Sequence, residues 1–219
     1  MNDADWTAVD DYIAQHLLGD DDALSTALIN NRTHGLPAID VSAAQGKMLY
    51  LLARMAGAKR ILEVGTLGGF STIWLARALP AGGKIVTLEI DPTHAGVARA
   101  NVDRAGVGGR VDIRVGLAKD SLAEMIDEEP FDFIFIDADK ASNVDYVREA
   151  IRLSRVGTTI IVDNVVREGG VLDSGSKDEM IVGSRRLFEM LRHEERLDAT
   201  AVQTVGSKGW DGFILALVR

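Results

Sequence analysis

The chain has no cysteine in its 219 residues, which excludes a disulfide framework, thiolate chemistry and zinc–thiolate sites. That absence fits a cytoplasmic location. Proline is scarce, with 4 residues, and no linker, repeat or low-complexity tract divides the sequence. One α/β domain spanning residues 1–219 is therefore expected. No apolar run approaches the length needed to cross a bilayer, so no membrane partner is expected. The start, Met1-Asn2-Asp3-Ala4-Asp5, lacks the basic and apolar regions of a signal peptide. Positive charge is also in deficit. The 24 Lys and Arg against 33 Asp and Glu leave a net charge of −9, which repels a phosphate backbone and argues against nucleic acid as a partner. Four histidines, His16, His34, His94 and His193, lie scattered without ligand spacing, and surface or packing roles are expected for them.

From Arg60 onward, strand and helix signals alternate in the rhythm of a parallel sheet with crossover helices. Apolar runs predict strands at Arg60–Val64, Lys84–Glu89, Val111–Val115, Phe131–Asp137 and Thr158–Asp163, covered on both faces. Asp91 as cap, Pro92 at the first helical position and Gly106 as terminator bound one intervening helix. A long helix around Glu179–Glu195 precedes two strands, Ala199–Val205 and Gly212–Leu217, whose short connection predicts an antiparallel pair. Before the sheet, Ser42-Ala43-Ala44-Gln45 reads as a capping box opening a helix through Met55. Trp6, Val9, Ile13 and Leu17 form an amphipathic stripe, which either packs onto the domain or covers the active site or a dimer interface.

Two of the buried strands run into polar side chains. Phe133-Ile134-Phe135-Ile136 ends in Asp137, and Thr158-Thr159-Ile160-Ile161-Val162 ends in Asp163-Asn164. Two parallel strands ending this way gather two carboxylates and a carboxamide at one sheet edge. Such an oxygen-only set suits a hard divalent cation, Mg²⁺ first, with Mn²⁺ or Ca²⁺ as alternatives. Lys140, three residues after Asp137, stands near it as a candidate base.

The stretch Glu63-Val64-Gly65-Thr66-Leu67-Gly68-Gly69-Phe70-Ser71 is a strand end, a glycine-rich turn and a helix start. Its spacing departs from the dinucleotide G-x-G-x-x-G, because Thr66 and Leu67 separate Gly65 from Gly68. Glu89 ends the next strand, where a carboxylate accepts both hydroxyls of a ribose. Glu63 would repel a pyrophosphate but favour a cationic ligand such as the sulfonium and amino group of S-adenosylmethionine. The plain alternatives are a structural turn and, for Ser71, a helix cap.

Glu63–Ser71, Thr87–Pro92, Phe135–Lys140 and Asp163-Asn164 together resemble the cation-dependent small-molecule O-methyltransferases, the group of the caffeoyl-CoA and catechol enzymes. The resemblance runs from about Ile39 to the C-terminus. It implies a Rossmann-like S-adenosylmethionine-dependent methyltransferase fold: a seven-stranded, mostly parallel sheet with a C-terminal antiparallel hairpin and helices on both faces. It further implies Asp137, Asp163 and Asn164 as metal ligands and Lys140 as general base. Cofactor contacts would come from Val41, Glu63, Gly65, Thr66, Ser71, Glu89, Ala118 and Asp137, with N-terminal helices of residues 1–57 over the active site. A phenolic small-molecule acceptor and a homodimer are implied as well. Three positions depart from the plant enzymes: Arg167 replaces a substrate-facing tryptophan, Leu67 a frequent aromatic residue, and Ile39-Asp40-Val41-Ser42 a methionine- and threonine-rich segment. Two rival functions share the scaffold, an RNA (tRNA) methyltransferase and a non-catalytic nucleotide-binding module. The acidic balance counts against the first, and a metal triad beside a lysine against the second.

Overall fold

In a computed structural model, the described residues are 3–219. Residues 1 and 2, the start of the expected N-terminal cover, lie outside them. In chain order the helices are α1 (Asp3–Ile13), α2 (Asp22–Thr33), α3 (Ala43–Met55) and α4 (Phe70–Ala78), then α5 (Pro92–Arg104), α6 (Ala118–Glu124), α7 (Asn143–Arg152) and α8 (Glu179–Arg192). The strands are β1 (Arg60–Val64), β2 (Lys84–Glu89), β3 (Val111–Val115), β4 (Phe131–Ile136), β5 (Ser154–Val162), β6 (Leu197–Gly206) and β7 (Gly209–Val218).

They form one seven-stranded sheet in the order β3-β2-β1-β4-β5-β7-β6, with β7 alone running against the rest. Because side chains alternate along a strand, each buried strand feeds two apolar layers. Leu62, Val64, Ile134 and Ile136 pack with α6, α7 and α8, whereas Ile61, Phe133 and Phe135 pack with α3, α4 and α5. Strand order reverses between β1 and β4, and in open α/β sheets ligands bind at such a switch point, beyond the carboxyl ends of the strands.

The helix caps follow the sequence. Asp91 accepts from Thr93 N and His94 N, with Pro92 opening α5, and Ser42 accepts from Gln45 N to open α3. Boundaries differ where loops intervene. β5 begins at Ser154, pairing with Phe131 across an irregular register before regular pairing resumes at Thr159. α8 stops at Arg192 because His193 N turns back to Met190 O at 3.1 Å. The hairpin is longer than expected: β6 and β7 pair from Leu197↔Val218 to Gly206↔Gly209, leaving Ser207 and Lys208 as the turn. The α1 stripe is only partly covered. Val9 is 53% and Leu17 73% exposed, and α1 meets the hairpin turn through Asp10, which accepts from Ser207 N at 2.8 Å.

Candidate active site

The parallel register decides where the polar residues land. Val64 stands beside Leu88 and Ile136, and Ile136 beside Val162, so the next residue of each strand emerges at one level. The ladder continues one step further, with Asp137 N donating to Val64 O at 2.8 Å and Asp163 N to Ile136 O at 2.9 Å. Gly65 is required here. Its φ is +103°, and a Cβ would collide with the Asp137 carbonyl oxygen, so only glycine lets the β1 turn pass against the end of β4.

A cavity of about 920 Å³ opens over these ends. Of the residues expected from the sequence, Val41, Gly65, Thr66, Ser71, Glu89 and Ala118 line it toward β1 and β2, and Asp137, Lys140 and Asn164 toward β4 and β5. A second cavity, of about 500 Å³, adjoins it and shares Val41, Asp137 and Asn164; Asp163 lines this one. Glu63 lines neither. It is fully buried behind the glycine turn, on the β1 face that packs against α4.

At the glycine-turn end each polar side chain is engaged. Glu63 accepts from Ser71 Oγ (2.6 Å), Thr72 Oγ1 (2.5 Å) and Thr87 Oγ1 (2.7 Å). Ser71 therefore serves Glu63, and the cap position of α4 is held by Gly69. Burial pushes the Glu63 carboxyl up to about 7, against the pull of the three hydroxyls, and the Asp137 charge adds to the rise. Thr66 Oγ1 and Thr87 Oγ1 share a hydrogen bond of 2.6 Å. Glu89, 7% exposed, accepts from Leu67 N at 2.7 Å and Asp91 N at 3.0 Å. An ionised carboxylate offers about four acceptor positions, so capacity remains for a ligand. Beside it, the exposed aliphatic side chains of Ile90 and Leu117 give the cavity mouth apolar walls.

The other end is less complete. Lys140, 3% exposed, donates to Asp137 Oδ1 at 2.8 Å. Its position is set by α8, since a Cβ on Gly183 would strike the Lys140 carbonyl. Burial, and then the Asp137 charge, push Asp163 up to about 7; Lys140 and a 2.6 Å hydrogen bond from Gln45 Nε2 oppose the rise. Asn164 takes a left-handed φ of +54°. The loop beyond is held by Asp211, whose Oδ1 accepts from Val166 N, Arg167 N and Gly212 N at 3.0, 2.9 and 2.9 Å. Among the described residues no three His, Cys, Asp or Glu side chains gather as a metal cluster. The candidate donors are two carboxylates and a carboxamide, an oxygen-only set that fits a hard cation.

Several contributors escaped the sequence. His94 was expected at the surface or in packing, yet it lines the larger cavity with Nδ1 3.7 Å from Glu89 Oε1. The Asp91 cap is the signal that could have found it, because it fixes His94 in the first turn of α5 beside the end of β2. Tyr146 lines the same cavity and donates to Asp139 Oδ1 at 2.5 Å; burial, and then Asp139, raise its pKa. Asp139 also caps the turn that carries Lys140. Gln45 was read only as a member of the capping box, yet its side chain donates to Asp163, and Asp211 carried no local signal; only the tertiary fold brings the two to the site.

A model of the O-methyltransferase family matches residues 20–217 of the chain. A catechol O-methyltransferase from Mycobacterium tuberculosis is 55% identical over 211 residues, 96% of this chain and 95% of that protein. A catechol O-methyltransferase from Niastella koreensis is 50% identical over the full length of both. The crystal structure of an O-methyltransferase from Bacillus cereus in complex with SAH superposes with a TM-score of 0.98 at 54% identity, covering 100% of both chains.

Proposed function

The chain belongs to the O-methyltransferase family, and from that premise we propose that it moves the methyl group of S-adenosylmethionine to a hydroxyl of a small catechol-like or phenolic acceptor, with a divalent cation between Asp137, Asp163 and Asn164. The observation that carries this reading is one cavity joining Glu89 and the glycine turn to Asp137, Lys140 and Asn164. The catechol O-methyltransferases at 55% and 50% identity support the acceptor class, and the SAH-bound relative supports the cofactor.

Bound cofactor supplies an electrophilic methyl group, and a bound hard cation supplies acidification and orientation of the acceptor hydroxyl. Glu89 would hold the ribose hydroxyls with the acceptor positions left by Leu67 N and Asp91 N. Ile90 and Leu117 would hold the base, and Thr66 and Ser71 the methionine portion. Lys140 receives the acceptor proton at Nζ. Asp137 Oδ1, 2.8 Å from Nζ, positions the side chain for that step. Aligning the acceptor oxygen with the methyl group supplies roughly 7–11 kcal/mol in favourable cases, which makes positioning the larger part of catalysis.

Labelled methyl transfer to a panel of catechols, flavonoids and acyl-CoA thioesters tests the reading. Transfer to catechols is expected; a chain that binds the cofactor and methylates none of them would refute the acceptor class. A homodimer belongs to the same reading, supported by β6, exposed along Asp198–Val205, and by the uncovered Val9 and Leu17 of the α1 stripe. Light scattering that returns the monomer mass of 23.6 kDa at micromolar concentration would refute it.

A further inference from the structure

We propose that Arg167 selects acceptors bearing an anionic substituent, a carboxylate above all, on the ring that carries the hydroxyls. The proposal rests on the acceptor reading above. Arg167 lines both cavities together with Asp137 and Asn164, so it borders the space left for an acceptor.

Two features of this residue bear on that role. Its φ is +55°, and Asn164 and Glu168 share that left-handed conformation at +54° each, which is uncommon for residues other than glycine. Such strain persists where the surroundings impose it, and it concentrates at ligand-binding loops. Here the imposing group is Asp211, which takes the Arg167 N–H at 2.9 Å and so holds the backbone in that conformation. The second feature is Nε, which is buried without a hydrogen-bond partner. A buried N–H of a cation is costly to leave unpaired, so a ligand that supplies an acceptor is favoured by that amount.

The neighbouring charges leave Arg167 the role. Asp211 Oδ2 forms an ion pair with Arg167 Nη1 at 3.7 Å but stands beyond hydrogen-bond reach, and its Oδ1 is committed to backbone, so the guanidinium N–H groups stay unspent. Asp178 caps α8 through Met180 N, and Asp40 accepts from Asn31 Nδ2. The other Lys or Arg lining the smaller cavity, Lys208, donates to Ala38 O at 3.2 Å, and in the larger one Lys140 is committed to Asp137. Glu168 is exposed. The guanidinium of Arg167 therefore keeps donors for a planar anion, and a carboxylate meets such a fork with two parallel hydrogen bonds.

Three acceptors with the same diol test this: 3,4-dihydroxybenzoate, catechol and dopamine, carrying negative, no and positive substituent charge. Calorimetric titration into the full chain with Mg²⁺ and S-adenosylhomocysteine reads binding without turnover, and KM values read it with turnover. Wild type is expected to bind the benzoate about 10–100-fold more tightly than dopamine. Arg167→Asn, a residue that tolerates left-handed φ, should erase that preference, and Arg167→Lys should keep part of it. An equal loss for all three acceptors in Arg167→Asn would make the residue structural and overturn the proposal, as would a wild-type preference for dopamine or no binding of the benzoate. If wild type methylates none of the three, the acceptor reading fails, while the calorimetric ranking still decides the role of Arg167.

Discussion

The two ends of the cavity differ in how far the protein alone satisfies them. At the glycine-turn end, Glu63 takes three hydroxyls, Glu89 takes two backbone N–H groups, and Thr66 pairs with Thr87. At the β4–β5 end, two acids crowd together and Arg167 Nε is buried without a partner. Buried polar groups are normally paired, so an unpaired one on a residue lining a cavity marks where a ligand completes the structure. One end is a finished receptor for the cofactor. On the proposed function, the other would be finished by the cation and acceptor.

The largest effect that sharpens this contrast is expected at Lys140. Lys140→Ala should retain cofactor affinity and lose rate by about 10²–10⁴-fold, the usual contribution of a general base. Single-turnover kinetics beside cofactor calorimetry would check it, and raising the pH should partly restore the rate. A loss of cofactor affinity as large as the loss of rate would break the division between the ends.

Glu63 gives a pH prediction. Its carboxyl is raised to about 7 in the folded chain against an ordinary value of 4.5. The raised value favours the folded state fully below about pH 4.5, and that advantage is lost as pH rises through about 7. The loss is on the order of 3 kcal/mol. Denaturant unfolding at pH 5 and pH 8 should show this difference in wild type and not in Glu63→Gln. Equal pH dependence in both proteins would contradict it.

A smaller effect is expected at Glu89. Glu89→Ala should weaken S-adenosylmethionine binding by about 1.5–3 kcal/mol, the worth of a charge-assisted hydrogen bond. Unchanged affinity by calorimetry would remove Glu89 from the cofactor site.

The same contrast explains what was legible in the sequence. Strands β1, β2 and β4 and the end of β5 announce themselves because both faces are covered and their residues are mostly apolar, and the charges that end them stand out for that reason; β3, at the sheet edge with Asp112 and Val115 exposed, is not covered on both faces as expected. Asp137, Asp163, Asn164 and Glu89 were found this way. The placement of Glu63 behind the wall was not, because its partners come from α4 and β2 and only folding brings Ser71, Thr72 and Thr87 onto one carboxylate. Gln45 reaches Asp163 across 118 residues of sequence, and Asp211 organises a loop 44 residues before it. Neither residue differs locally from an ordinary polar surface group. The earlier start of β5 and the extra length of the hairpin escaped because Gly157 and Gly209, both with positive φ, read as turn residues in the sequence.

The most direct test of the central claim is labelled methyl transfer to a catechol by EDTA-treated protein, with S-adenosylmethionine binding measured in the same sample. Transfer should vanish in EDTA and return with Mg²⁺ while cofactor binding stays unchanged; full transfer in EDTA would contradict the account.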